Sequence, residues 1–365
     1  MPVARLSGRI PAGGVGAVLL LTACGPSKPV APPLVLAPPT DTVQAPFSDA
    51  AGAVWLSGGR WAVVSEGSGT VGIVDFRAHR VTPLGGPKTS ELKNPFAVFR
   101  SGDSLWVADW GLHRLTVWDL DGRLVGKVPV MDATRGALPR MRDAQGRFYV
   151  PIMPQPGPDG SGNRDSAAVV RVTPGLDHVD TVARLTPLDI AEIQGDAGAR
   201  FERRVFSGTD QWGALPDGSV WVARVYHNRV DWRSPDVKWQ KGEPLPDRVL
   251  EVTPADRELF VRTFPPELRS SAEQLPFAPV KPPFQSGFTS TDGLVWLEKS
   301  RSPFDSTGSW HVVDRQGRLL REIRLRGYGR ILAAGPGAAL AIERDTTGTR
   351  MLQLSLPRLV SPGVS

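Results

Sequence analysis

The chain of 365 residues contains a single cysteine. One thiol cannot form an internal disulfide, a zinc knuckle, a thiol redox pair, an iron–sulfur cluster or a c-type haem attachment, so these classes are excluded. The sequence also lacks a GxSxG nucleophile elbow, and its five histidines form no HExxH or HxxxH pair. The common hydrolase and metalloprotease motifs are therefore missing.

Long hydrophobic runs are also missing. Residues 13–23 are apolar and follow Arg5 and Arg9, but they are too few for a stable membrane span and predict an export signal. The segment ends in Leu21-Thr22-Ala23-Cys24, which resembles the lipobox of bacterial lipoproteins. The resemblance implies cleavage before Cys24 and lipid attachment to its thiol, which would anchor the mature chain to a membrane. The alternative is a plain secretory signal with an incidental cysteine.

Charge gives little support for a nucleic-acid partner. Removal of residues 1–23 takes away two arginines and no acids, so the formal charge falls from +6 to +4. Gly25 stands where an aspartate often marks retention in the inner membrane. We therefore expect a lipoprotein of the cell membrane or outer membrane that faces the periplasm or the exterior.

A proline-rich segment follows the cysteine. Six prolines lie between Pro26 and Pro39, a composition that favours an extended tether. The predicted organisation is a signal peptide at 1–23, a lipidated cysteine and tether at 24–47, a folded body at 48–357 and a tail at 358–365.

The body repeats one unit six times. It contains many of the 39 glycines, 35 prolines and 11 tryptophans, a mixture typical of short strands joined by tight turns. A turn glycine precedes each β-rich run, at Gly59, Gly102, Gly146, Gly218, Gly293 and Gly337. The steps are 43, 44, 72, 75 and 44 residues, so the base period matches a four-stranded propeller blade with two stretched steps.

A second strand–turn–strand marker follows each of the first five runs, at 73–81, 117–125, 169–179, 249–260 and 311–320. Two turns per repeat predict two hairpins, hence one blade. An open β-sandwich with coincidental turns is the alternative. In the second repeat, LWVADWGLHRLTVWDLDGRL (105–124) resembles an NHL repeat. We therefore predict an all-β fold, a six-bladed NHL-like β-propeller with insertions on its top face.

The ring must also close, because an open blade edge leaves backbone groups unpaired. The last repeat contains only three strands, RILAAG, ALAIE and RMLQLSL. Residues 41–44 are the available fourth strand. The sequence therefore predicts that both ends of the chain meet in one blade.

Four insertions are predicted on the face that carries the B–C loops and the D–A connections. They are a B–C loop at 154–166, a helical connection at 188–204, a B–C insertion at 225–245 and a proline-rich connection at 265–283. Insertions gathered on one face are typical of binding in repeat proteins. They would also serve as a plug for the central channel.

Charged residues end the B strands on the same face. They include Glu66, Asp109, Arg224, Glu298, Lys299 and Glu343, with Arg140, Tyr226, His227, Asn228 and Arg229 nearby. A ring of acids and arginines can bind a polar ligand or form salt bridges that line a wet channel. Trp61, Trp106, Trp221 and Trp296 recur at equivalent places and predict packing between blades, whereas Trp110 and Trp232 are expected in loops.

Two functions follow from this organisation. The first is a membrane-tethered binding or scaffold module for an envelope protein or glycan, with no cofactor. Its predicted contact residues are Arg224, Tyr226, Arg229, Trp232, Glu66, Asp109 and Lys299. The second rests on a resemblance to gluconolactonase-type six-bladed propellers, which implies a divalent cation, calcium, in the top-face channel. Glu66 and Asp109 would supply the acids, and Asn163 or Asn228 the amide.

Overall fold

The computed structural model describes residues 31–359, apart from 48, 87–88, 130–133, 153–166, 176–177, 196–197, 248, 303–304, 328 and 347. Strands predominate in this part of the chain, and none of its helices is long and apolar enough to cross a membrane. The predicted signal peptide (1–23), Cys24 and the loop at 154–166 lie outside the described residues.

Two short strands precede the repeats, β1 (Leu34–Val35) and β2 (Asp41–Ala45). The strands of the first blade are β3 (Gly52–Ser57), β4 (Arg60–Ser65), β5 (Thr70–Asp75) and β6 (Arg80–Pro83). Those of the second are β7 (Pro95–Ser101), β8 (Ser104–Asp109), β9 (Arg114–Asp119) and β10 (Leu124–Pro129). Those of the third are β11 (Met141–Arg142), β12 (Phe148–Ile152), β13 (Ala168–Val172) and β14 (Val179–Arg184).

A separate hairpin, β15 (Ile190–Gly195) and β16 (Gly198–Arg203), follows the third blade. The fourth blade is β17 (Gln211–Ala214), β18 (Val220–Arg224), β19 (Arg229–Arg233) and β20 (Trp239–Gln240). The fifth is β21 (Phe284–Thr289), β22 (Val295–Lys299), β23 (Thr307–Val313) and β24 (Leu319–Arg326), and the sixth contains β25 (Arg330–Gly335), β26 (Ala338–Asp345) and β27 (Gly348–Ser355).

The blades form a closed ring. Within each blade the strands are antiparallel neighbours, with the first strand innermost. The innermost strands β3, β7, β11, β17, β21 and β25 contact one another in this order, and β25 contacts β3. The predicted six-bladed β-propeller is therefore confirmed.

The predicted closure is also confirmed. β2 pairs antiparallel with β27, with Asp41 opposite Gln353, and becomes the outer strand of the sixth blade. Val43 is buried, and Phe47 packs so closely on Gly72 that a Cβ there would lie 2.6 Å from the Phe47 Cζ. β1 adds a parallel fifth strand to β24. β1 and β2 therefore pair with the blades, within the segment 24–47 that the sequence assigns to the tether.

Aspartate side chains build the C–D turns of blades 2 and 5. Asp119 Oδ1 accepts the backbone N–H groups of Asp121 and Arg123, both at 2.9 Å. Asp314 Oδ1 accepts the equivalent groups of Gln316 and Arg318, also at 2.9 Å. Gly122 and Gly317 in these turns have φ of 86° and 73°, which favours glycine. The segments 119–122 and 314–317 are therefore hairpin turns, as the sequence predicts.

Side chains of the second strand in each blade alternate between two seams, because successive residues of a strand point to opposite faces. Trp106, Trp221 and Trp296 pack against the following blade, as predicted. Trp61 stands one position earlier in its strand and packs back onto the sixth blade, among Leu340 and Met351. Its predicted equivalence was wrong, since a shift of one residue reverses the face.

Two of the predicted insertions and one predicted hairpin differ in the structure. The segment 188–204 contains the hairpin β15–β16 rather than a helix, because a short apolar run such as Ile190–Gly195 does not distinguish strand from helix by its period. The segment 225–245 is not a loop, since β19 pairs with β18 after a four-residue turn. The marker at 249–260 is not a hairpin, because Thr253 caps helix α1 (Pro254–Arg262) in a capping box with Asp256.

The connection from blade 4 to blade 5, residues 241–283, is therefore the long insertion. After α1 it contains a 3₁₀ helix (Pro266–Leu268) and α2 (Arg269–Glu273). It accounts for the longest step between turn glycines.

Candidate functional site

The top face is defined here by the B–C turns and the D–A connections, which the antiparallel order places at the same end of every blade. The A–B and C–D turns lie on the opposite, bottom face. The long connections 185–210 and 241–283 both belong to the top face.

Asp109, a predicted contact residue, is fully buried. Its Oδ2 accepts the backbone N–H of Lys93 at 2.7 Å, and its Oδ1 accepts those of Asn94 and Leu112 at 3.1 and 3.0 Å. Both carboxylate oxygens are therefore used to tie the connection from blade 1 to the B–C turn of blade 2. This carboxylate has a structural role.

Arg224 and Arg229 are held by internal carboxylates. Arg224 Nη1 lies 2.9 Å from Asp210 Oδ2, and Arg229 Nε lies 2.8 Å from Asp231 Oδ1. Asp210 also accepts the backbone N–H groups of Thr186 and Val225, both at 2.9 Å. The carboxylate of Asp210 therefore closes the insertion 185–210 at its base, and the two arginines neutralise buried acids.

Trp232 is not a loop residue. It lies in β19, is 5% exposed and donates its Nε1–H to the backbone carbonyl of Asp314 at 3.0 Å. The indole joins blade 4 to blade 5 and is not accessible to a partner. The prediction that Trp232 contacts a ligand was wrong, because the four-residue turn 225–228 returns the chain into the sheet.

Lys299 belongs to a buried polar cluster between blades 4 and 5. Its Nζ lies 2.8 Å from Asp247 Oδ1 and 3.6 Å from Glu322 Oε2. His311 lies 3.4 Å from Asp247 and is almost fully buried, and Asn228 Nδ2 donates to Asp247 Oδ2 at 2.9 Å. Burial lowers the pKa of His311, although the carboxylates of Asp247 and Glu322 oppose this shift.

The same arrangement recurs at three seams. Asp210 pairs with Arg224 and Asp247 with Lys299, while Glu91 lies 2.6 Å from Arg114 and 2.8 Å from Lys127. In each case a carboxylate from a D–A connection meets a cation of the following blade. Glu91, Asp210 and Asp247 were not predicted from the sequence. Their only signal is an acid in a polar connection, which does not identify a distant partner.

Two of the predicted top-face residues, Glu66 and Arg140, interact through their charges. Glu66 is exposed, and its charge acts on Arg140, whose guanidinium lies 5.4 Å from the centre of the Phe96 ring. Partial loss of hydration lowers the pKa of Arg140, and Glu66 opposes this shift. Trp110, 41% exposed, stacks on Phe96 with ring centres 5.2 Å apart. We call Glu66, Phe96, Trp110 and Arg140 the rim cluster.

Tyr226 is the one predicted contact of blade 4 that is open to solvent, with 58% of its surface exposed. Burial of its hydroxyl and the charge of Asp189 at the base of the hairpin β15–β16 raise the pKa of Tyr226. Tyr226 therefore lies beside the hairpin, whose Phe201 is 44% exposed.

The two long insertions form one surface. Val205 N donates to Pro276 O at 2.7 Å, and Ala278 N donates back to Val205 O at 2.9 Å. Phe206 contacts Phe260 of α1 with ring centres 5.8 Å apart. Exposed apolar side chains of this surface include Val249, Leu259, Leu268 and Val280. Of the four segments predicted to form one surface, 188–204 and 265–283 are therefore joined, 225–245 belongs largely to the fourth blade, and 154–166 lies outside the described residues.

The predicted calcium ligands do not converge. The oxygens of Asp109 are occupied by backbone N–H groups, Asn228 donates to Asp247, and Asn163 lies outside the described residues. Within the described part of the chain, no three His, Cys, Asp or Glu side chains are grouped as metal ligands. These residues do not fit the ligand set of a divalent cation.

Solved structures with the same architecture share little sequence with the chain. A member of the DUF4221 family from Bacteroides vulgatus is 9% identical, with a TM-score of 0.50 over 88% of this chain and 97% of that one. Regucalcin, a calcium-binding protein from Agrobacterium tumefaciens, is 12% identical, with a TM-score of 0.44 over 89% and 97%. Virginiamycin B lyase from Staphylococcus aureus is 8% identical, with a TM-score of 0.44 over 87% and 99%. These similarities show the propeller fold alone.

No protein-family model matches the chain, and no curated protein is similar to it in sequence.

Proposed function

We propose that the protein is an NHL-like propeller lipoprotein that binds an envelope protein or glycan through its top face. One observation carries the proposal: aromatic side chains are exposed on this face, while the predicted charged contacts other than Glu66 are paired within the fold. Trp110, Phe201 and Tyr226 expose 41%, 44% and 58% of their surface. Trp, Tyr and Arg are the residue types that dominate binding hot spots.

The second hypothesis, a divalent-cation-dependent lactonase-like hydrolase, needs oxygen ligands at the axis. Of the residues named for it, Asp109 is occupied by backbone N–H groups, and no three His, Cys, Asp or Glu side chains of the described residues are grouped as metal ligands. A calcium titration separates the two hypotheses.

Site-specific photo-cross-linking in cells tests the proposal. A photoreactive amino acid at Tyr226 or Phe201 should yield the same adduct, because these positions lie on one surface. Asp103, fully exposed in a bottom-face turn, is the matched control and should not yield it. Equal adducts from Asp103, or none from Tyr226 and Phe201, would remove the top face as the binding surface.

A further inference from the structure

A cavity of about 300 Å³ opens on the bottom face, at the seam where blade 6 meets blade 1. Trp55, Trp61 and Phe76 form its aromatic wall, and Asp41, Arg77 and Gln353 supply polar groups. Its volume is at the lower end of the range for small-molecule sites. The cavity lies on the face opposite the insertions and is independent of the function proposed above.

The cavity exists because small side chains face it from blade 6. Strands β8, β18 and β22 each direct a tryptophan at the following blade, whereas β26 presents Ala338, Leu340 and Ile342 to blade 1. Gly58 and Gly59 complete the lining at the A–B turn of blade 1. At this seam the large ring is Trp61 of blade 1, and the small side chain of Ala338 leaves the cavity beside it.

Two polar atoms of the lining are buried without a partner in the described part of the chain. Gln353 Oε1 is an acceptor and Trp61 Nε1 is a donor. Buried polar groups in native proteins are nearly always hydrogen-bonded, so such a pair beside a cavity indicates a missing partner. A partner that serves both must donate one hydrogen bond and accept another.

The edge of the cavity carries one positively charged side chain and one negatively charged side chain. Arg77 has no carboxylate partner among the described residues, and its Cζ lies 3.6 Å from the place of a Cβ at Gly58. Asp41 accepts the N–H of Thr42 at 2.7 Å and lies 3.5 Å from His79 Nδ1. Donors and acceptors therefore alternate around an aromatic wall.

We propose that this cavity binds a single sugar ring. Each hydroxyl group both donates and accepts, which matches the unpaired amide oxygen and indole N–H. The C–H face of a pyranose supplies the apolar surface that the partly exposed ring of Trp55 requires. A carboxylate ligand would leave Gln353 Oε1 unpaired, and an alkyl ligand would leave both atoms unpaired.

Saturation-transfer NMR on the full chain in detergent tests the proposal with glucose, galactose and N-acetylglucosamine as separate probes. At least one should bind with a Kd of about 1–10 mM, the range for a ligand of a dozen heavy atoms in an open pocket. Ala338→Leu fills the cavity and should abolish the signal. Arg77→Ala should weaken binding about fivefold, whereas Arg123→Ala, an exposed arginine on the same face, should not change it.

Leucine, tested in parallel, distinguishes a zwitterionic ligand. A signal from leucine and not from sugars would overturn the proposal. Equal sugar signals from wild type and Ala338→Leu would also overturn it, provided that urea unfolding shows the variant to be as stable as wild type. Absence of any sugar signal up to about 50 mM would do so too. A defect in folding or in the top face would not produce this pattern, because the control variant Arg123→Ala has the same fold and the same top face as Arg77→Ala.

Discussion

The indole Nε1 of Trp232 in blade 4 donates a 3.0 Å hydrogen bond to the backbone carbonyl of Asp314 in blade 5. The carboxylate of the same Asp314 accepts the backbone N–H groups of Gln316 and Arg318 and so builds the turn that presents this carbonyl. One residue therefore shapes a C–D turn and fixes the adjacent blade. Seams of this kind stabilise the ring.

Replacement of Trp232 by Ala should destabilise the protein by about 3–5 kcal/mol, because it removes a buried ring and leaves the Asp314 carbonyl unpaired. Urea unfolding followed by circular dichroism measures the change. Tyr226→Ala, an exposed neighbour, should change stability by less than about 0.5 kcal/mol. A similar loss of stability in Trp232→Ala and Tyr226→Ala would show that the burial of Trp232 does not determine the cost of removing it.

The closing strand should be required for stability. Val43→Asp places an unpaired carboxylate at a position that is 3% exposed, and we expect a loss of at least about 3 kcal/mol. Thr42→Asp, on the exposed face of the same strand, should cost less than about 0.5 kcal/mol. Thermal unfolding of both variants provides the comparison, and a stable Val43→Asp protein would show that β2 is dispensable.

Stability should fall as the pH falls through the range in which unfolded histidine takes up a proton. Burial lowers the pKa of His311 below its unfolded value, so the unfolded chain binds the proton first. The slope is at most about 1.4 kcal/mol per pH unit for one group. Asp247 and Glu322 face the imidazole, and Lys299 and Arg324 already neutralise these two carboxylates, so a proton on His311 adds an uncompensated positive charge.

His311→Gln should flatten this part of the profile. Urea unfolding at several pH values between about 7.5 and 5 measures it for both proteins. His113→Gln, in a B–C turn on the protein surface, controls for loss of a titrating group. An unchanged slope in His311→Gln would assign the pH dependence to other groups.

Calcium should leave the melting temperature unchanged at millimolar concentration. Both oxygens of Asp109 already accept backbone N–H groups, and no three His, Cys, Asp or Glu side chains are grouped as metal ligands in the described part of the chain. Calorimetric titration and a thermal scan with and without a chelator measure the effect. A saturable heat together with a higher melting temperature would restore the lactonase-like hypothesis.

Cys24→Ala should release the protein from membranes. The predicted anchor is a lipid on this thiol, and without acyl chains little apolar surface remains to insert. Cell fractionation in high salt compares the variant with Ser27→Ala, a substitution in the same segment. A Cys24→Ala protein that still sediments with membranes would assign attachment to another contact.

Repeated local features were readable from the sequence. Turn glycines such as Gly218 and Gly293, and the Asp-x-x-Gly-Arg turns at Asp119 and Asp314, act within a few residues, so their spacing alone determined the number of blades. The closing strand was predictable for the same reason, since the last repeat contains one strand too few.

Only the tertiary structure decided which side chains are free. Asp109, Arg224 and Lys299 have the chemistry of ligand contacts, but each is paired with a group from another part of the chain, and Asp109 is also buried. Trp61 and Trp221 look alike in sequence, yet a shift of one residue turns them to opposite seams. The cavity beside Trp61 likewise depends on the small side chain of Ala338, nearly three hundred residues away. Local sequence determines turns and strands through short-range sterics and hydrogen bonding, whereas accessibility depends on which distant surfaces pack together.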